Sequence, residues 1–366
     1  MKSESRTYCI AGHQVRVVLQ APWTFKPLTQ EQEEIVAILR EGGDLGVLPV
    51  PADRLDQLAP NAQLMGKQRM TRDLWESWSE AERDAFRHAL DFVQFAPFET
   101  EDTGDALFTL EVKGPVPEEF RAGAAALGGE RVVSVDATPP FLYGYRNGDR
   151  IAYEFFPEEN VSAGVFVMGT DAKAGVYYPR EGIGSRTTMM QLNTSLMILF
   201  TFATAPFHTI LLHSSVIRYE GMGQLFFGVS GTGKSTHSRL WLENVPGCDL
   251  MNDDNPVIRF VDGEARVFGT PWSGKTLCYR NVSAPIRALV RLEQAPENRI
   301  ERLAGLHAYA SVVAAVSTIR WSREIMDFLV PTIEKAAMEI PCYKLSCRPD
   351  REAVEVCFRG LMNKNL

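Results

Sequence analysis

A basic surplus is missing from this chain: 38 lysines and arginines stand against 46 aspartates and glutamates, a formal net charge of −8. A nucleic-acid partner gripped through its phosphates demands a positive stripe, so none is expected. Cysteine is sparse, and its six copies (Cys9, Cys248, Cys278, Cys342, Cys347 and Cys357) form no C-x-x-C pair. That excludes a zinc-ribbon array, and free thiols in a reducing, cytoplasmic setting are expected. Residues Met1 to Leu19 interpose Lys2, Glu4, Arg6, His13 and Arg16 where a secretory leader needs an unbroken apolar core. The stretch Gln191 to Val216 contains no Asp, Glu, Lys or Arg, but Pro206, His208 and His213 interrupt it. It reads as a buried helix ending near Ala203, then a buried strand from Thr209, and not as a membrane span. No G-x-S-x-G elbow and no His/Cys/Glu metal spacing occurs in residues 1 to 190.

What is present is a chain of 366 residues, 45% hydrophobic and 23% charged, long enough for two globular domains. Residues 1–190 alternate strand-like runs (Gln14 to Leu19, Leu107 to Val112, Val161 to Met168) with helical stretches, giving an α+β accessory or substrate-presenting domain. Thr29 with Gln32 and Ser79 with Glu82 have capping-box spacing and open helices near 30 to 41 and 80 to 95. Residues 191–366 read as an α/β nucleotide-binding domain with a mixed sheet. It ends in a helix near Ser322 to Met338, a strand at Cys342 to Cys347 and a last helix from Arg351 to Leu361.

The second domain carries the chemistry. Gly228-Val229-Ser230-Gly231-Thr232-Gly233-Lys234-Ser235-Thr236 fits the P-loop (Walker A) pattern G-x-x-x-x-G-K-[ST] at every fixed position. A random chain of this length shows that pattern roughly 1% of the time. A short apolar strand, Gly223 to Phe227, precedes it, and a helix from Ser235 to Trp241 follows. Glycines leave backbone N–H groups facing phosphate oxygens, Lys234 reaches the β and γ phosphates, and Ser235, with Thr236 as a weaker candidate, offers a hydroxyl to Mg²⁺. A nucleoside triphosphate is the expected ligand.

Phosphoryl transfer also needs a carboxylate toward the metal and a base for the acceptor proton. Asp253 and Asp254 lie 19 and 20 residues after Lys234, enough for one helix and a return strand. As metal ligands and catalytic groups they are the candidates. Adjacent carboxylates repel and drive their pKa values apart, so one serves as base and the other as metal partner; which is which stays open, with Asp254 as base and Asp253 as metal partner narrowly preferred. Asn252-Asp253-Asp254-Asn255-Pro256 is equally good turn chemistry. His213 ends an apolar run and is a candidate to orient the base or to contact the transferred phosphoryl group; taken by itself, a satisfied core histidine is the favoured reading. Lys275 closes the turn-rich Phe268 to Lys275 loop as a possible second phosphate cation, with Trp272 beside it as packing.

These residues together resemble the HPr kinase/phosphorylase and ATP-dependent phosphoenolpyruvate carboxykinase superfamily over roughly 205 to 290. Phe226 to Ser235 is similar to the carboxykinase phosphate loop. Met251-Asn252-Asp253-Asp254 resembles the paired aspartates of both branches, and His213, 15 residues before Gly228, stands where HPr kinases place an active-site histidine. The HPr-kinase segment with a metal-binding Glu has no counterpart here; Gly269 to Lys275 occupies that stretch. The resemblance as a whole is to the bacterial HPr-kinase-related family, some of whose relatives phosphorylate peptide products. It implies an ATP- and Mg²⁺-dependent kinase (Mn²⁺ in place of Mg²⁺ being compatible) with a hydroxyl-bearing peptide, protein or small-molecule acceptor. Carboxykinase chemistry and a non-catalytic nucleotide sensor are the alternatives. Self-association into a homo-oligomer is left open.

Overall fold

A computed structural model describes residues 3–40, 76–135, 138–274, 278–317, 321–364 and 366. The chain forms two compact units: Met1–Thr29 with Lys67–Thr204, and Gln30–Gly66 with Ala205–Leu366. The first is built on β1 (Ser3–Ile10), β2 (His13–Gln20), β3 (Thr24–Phe25), β4 (Ala89–Leu90), β5 (Glu99–Thr100), β6 (Phe108–Val112), β7 (Glu130–Val135), β8 (Phe141–Asn147), β9 (Arg150–Phe156), β10 (Gly164–Gly169) and β11 (Ala174–Pro179). Nine of these make a mixed sheet in the order β5-β1-β2-β6-β11-β10-β9-β8-β7. Strands β2, β6 and β11 alternate as half-buried strands must, β2 burying Val15, Val17 and Leu19, whereas β9 is buried continuously from Ile151 to Phe155.

The expected helix from Ser79 is opened by a true capping box, with Ser79 and Glu82 bonded reciprocally. It stops at His88, short of 95, because Ala89 and Leu90 pair in parallel with Thr24 and Phe25. The uncharged stretch forms the helix Ser185–Thr204, a 3₁₀ turn and then a strand, as expected from its breakers. Among the described residues no helix is long and apolar enough to cross a membrane. A division of the chain at 190/191 falls inside that helix; the C-terminal segment of the second unit starts after it, at Ala205.

The second unit carries β12 (Thr209–Leu211), β13 (Ser214–Tyr219), β14 (Met222–Phe227), β15 (Asp249–Asp254), β16 (Val257–Val261), β17 (Glu264–Phe268), β18 (Ser283–Gln294), β19 (Arg299–Leu303) and β20 (Cys342–Cys347). The order is β12-β16-β17-β18-β14-β13-β15, with β20 paired to β18 and β19. Hairpins set part of this order. Glu220 and Gly221 between β13 and β14, and Asp262 and Gly263 between β16 and β17, all have φ of 51° to 84°, the positive pair of a type I′ turn. β14, β18 and β20 are mutually parallel, so their carboxyl ends emerge together. Both units are thus mixed α/β structures with helices against mixed sheets.

The helix Lys234–Asn244 packs on the terminal helix Arg351–Met362 through Trp241, which is fully buried against Phe226 and Phe358 with ring centroids 5.7 and 5.9 Å away. A core aromatic of this kind contributes about 3–5 kcal/mol. The terminal helix is capped by Asp350, which accepts from the Ala353 N–H, and buries Ala353, Val354, Cys357 and Phe358. This core anchors the helix that begins at the phosphate-binding motif.

Candidate functional site

The motif begins where β14 ends. Leu225, Phe226 and Phe227 are buried, and Gly228 then turns the chain with φ 156°. A Cβ at Gly228 would lie 2.9 Å from both Leu292 O and Thr232 Oγ1, so only glycine fits without displacement. The Thr232 hydroxyl donates to Val229 O (2.8 Å), and the Gln294 amide donates to Gly231 O (3.2 Å). Gly233, at φ 97°, is the N-cap of the helix; it supplies no side-chain cap, and the first turn contains no acidic residue. The N-terminal N–H groups and the helix dipole are therefore left for an anion.

Lys234 Nζ donates to Gly228 O at 3.2 Å, folding back across the loop. Burial draws its pKa below the ordinary lysine value, partly offset by the negative charges of Asp254 and Asp253. A polyphosphate would remove that penalty by adding negative charge on the other side. Ser235 and Thr236 follow in the first helical turn, and Val229 and Ser230 stand exposed on the loop.

Strand register brings the acids to this loop. Ser214 of β13 pairs with Phe227 of β14 on one side and with Asp254 of β15 on the other; Ser215 pairs likewise with Phe226 and Asp253. The aspartates therefore end a strand and are not in a turn, and β13 lies between their strand and β14. Cross-strand partners share a face of the sheet, which puts Asp253 on the face of Ser215. The Ser215 hydroxyl is 2.7 Å from that of Ser238, on the helix that carries Lys234 and Ser235. Asp253 is buried, at 5% exposure, and lies on the helix side.

Asp254 points elsewhere. Its Oδ1 is 3.0 Å from His213 Nδ1, and its Oδ2 accepts from the Asn255 amide at 2.8 Å. The His213 side chain is 41% exposed and is not a core histidine; its backbone N–H is tied to Ala315 O at 2.8 Å. Asn255 in turn accepts from the Ser317 hydroxyl at 2.9 Å. Gly274 lies against this end: a Cβ there would be 2.8 Å from Asp253 O. The β17–β18 loop thus runs past the aspartates. Lys275 itself lies outside the described residues. Trp272 is buried, as packing requires.

On the opposite side of the loop, beyond the ends of β18 and β20, is a cavity of about 460 Å³. Leu240, Leu292, Ala295 and Pro349 give it apolar walls, Arg348 stands at its edge, and Gly231 to Gly233 and Thr236 close it toward the loop. His237 also lines it. Its Nε2 accepts from the Trp241 indole N–H at 3.1 Å, and burial pushes its pKa down to about 3, so the ring is neutral with its proton on Nδ1.

The sequence-expected residues Gly228 to Thr236, His213, Asp253 and Asp254 are therefore gathered at one end of β13, β14 and β15. Reasoning from sequence missed His237, Gln294, Asn252, Asn255 and Ser317; of these only the i,i+4 spacing of His237 and Trp241 on one helix carried a local signal. Among the described residues no three His, Cys, Asp or Glu side chains converge as a metal cage. A hydroxyl and one or two carboxylates are instead the hard, sparse oxygen set that suits Mg²⁺ completed by phosphate and water. No family model matches the chain, and no curated protein matches it in sequence.

Proposed function

We propose that the second unit is a phosphotransferase that moves the γ-phosphoryl group of ATP to a hydroxyl of a peptide, protein or small molecule. The observation that supports it above all is the shared register of β13, β14 and β15, which sets the His213–Asp254 pair beside the Lys234 loop. A kinase site needs those two elements within one triphosphate's length.

In this reading the loop amides and Lys234 hold the β and γ phosphates. Ser235 and Asp253, with Asp254 nearby, are the oxygen ligands for Mg²⁺, which when bound neutralises phosphate charge. Asp254 receives the proton of the acceptor hydroxyl as its oxygen bonds to the γ-phosphorus and the bond to the β,γ-bridging oxygen breaks, releasing ADP. His213 and Asn255 hold the Asp254 carboxylate oxygens from two directions. The acidic pair lies on the β13 and β15 side of the loop, so the nucleoside extends to the β18 and β20 side, into the cavity.

Transfer of label from γ-labelled ATP to fractions of a cell extract tests the reaction; no labelled acceptor above the level of a loop-deleted control would sink it. The polarity of the nucleotide has its own test. Leu240→Trp fills the cavity, and it is expected to weaken ATP binding by about tenfold or more while tripolyphosphate, which has no nucleoside, binds as before. Calorimetric titration reads both ligands, and equal weakening of the two would show that the loop, not the cavity, had been damaged.

A further inference from the structure

The loop between β17 and β18 does more than pass the aspartates, and the group at its centre is a threonine. Thr270 is fully buried. Its hydroxyl donates to Asn255 O (2.8 Å) and accepts from the Asn252 amide and from the Trp272 N–H (both 3.2 Å). Asn252 is also fully buried, and its Oδ1 accepts the Asp254 backbone N–H at 3.0 Å. Its amide also reaches Thr270 O and Trp272 O, each at 3.3 Å. Asn255 adds an N–H to Trp272 O at 3.3 Å and an amide to the Asp254 carboxylate. The two aspartates are thus bracketed by two asparagines, and one hydroxyl ties both brackets to a single loop.

We infer that the Thr270 hydroxyl is a positioning group that holds the Asp253–Asp254 strand end in the geometry that receives a metal ion. The inference rests on the proposed nucleotide reading. Adjacent carboxylates at a strand end repel each other and are drawn toward Lys234, so a frayed end would let them separate. The buried brace removes that freedom. It works through backbone and amide contacts, so the loop acts on the metal without touching it, as outer-shell partners do.

Thr270→Val keeps the shape and deletes the hydroxyl; Thr270→Ser keeps the hydroxyl. ATP affinity is measured by calorimetry in EDTA and in excess Mg²⁺, with thermal unfolding recorded for each variant. The wild-type chain is expected to bind ATP more tightly with Mg²⁺. Thr270→Val should match it in EDTA to about twofold yet lose about tenfold or more of the Mg²⁺-dependent gain, and Thr270→Ser should keep that gain to about twofold. A merely structural role would lower both affinities together. If Thr270→Val does not fold, Thr270→Ala, which also deletes the hydroxyl and adds no charge, is read in the same way. A folded Thr270→Val with the full gain, or a Thr270→Ser that loses it equally, overturns the inference alone. A wild-type chain that binds ATP without any gain from Mg²⁺ removes the metal role of the aspartates and this inference with it. No ATP binding at all overturns the nucleotide reading itself.

Discussion

Replacing Asp254 by asparagine is expected to lower phosphoryl transfer by about 10²- to 10⁴-fold, the range over which a positioned general base contributes, while ATP affinity changes little. The substitution preserves shape and leaves the Asn252 and His213 backbone contacts in place. What it removes is a carboxylate able to take a proton, and with it the charge that faces His213 Nδ1 at 3.0 Å. That pair is partly solvent-exposed on both sides, at 41% and 31%, so its loss has only a small effect on folding. Single-turnover transfer, with ATP binding measured in parallel, separates the two readouts. Unchanged transfer would show that Asp254 is not the base. Asp253→Asn supplies the contrast: on the helix side of the sheet, its loss should shift the Mg²⁺ dependence of binding more than the transfer step at saturating metal.

The second large effect is expected at Lys234. Lys234→Met keeps the aliphatic stem but removes the cation, and transfer should fall by about 10²- to 10³-fold, as for loss of one strong donor to developing transition-state charge. Two further consequences follow from the surroundings of Lys234. The Nζ bond to Gly228 O closes the loop on itself, so the variant also loses a clamp on its own main chain. Burial, the largest influence on the ammonium, lowers its pKa despite the nearby aspartates. The protein surroundings therefore disfavour the charged form, and ATP affinity in the wild-type chain should decline as pH rises through that lowered value. The methionine variant should show no such decline, and a parallel decline in both chains would assign the titration to another group.

The phosphate loop was legible because its chemistry is local: spacing of glycines, a lysine and a hydroxyl suffices, and the flanking strand and helix supply the context. The aspartates were half legible. Asn252 to Pro256 has turn composition, yet Asp249–Asp254 is a strand, because buried Leu250 and Met251 and the ladder to β13 outweigh local preference. The cavity was not legible at all. Leu240, Leu292 and Pro349 come from three distant segments and meet only through the parallel ladders of β14, β18 and β20, which leave no mark on any one stretch of sequence. The helix from Ser79 was overextended for the same reason: the short ladder of Ala89 and Leu90 with Thr24 and Phe25 is a long-range event that a local periodicity does not contain.

The uncapped start of the helix Lys234–Asn244 has a thermodynamic meaning. With Gly233 offering no side-chain partner and no acid in the first turn, the folded chain presents a cluster of donors that suits a polyanion. On the proposed reading the melting temperature depends on ligand activity: a polyphosphate at a hundred times its dissociation constant would add about 2.7 kcal/mol to the folded state. Bound nucleotide would thereby shrink the small unfolded fraction of the chain and so lengthen its lifetime.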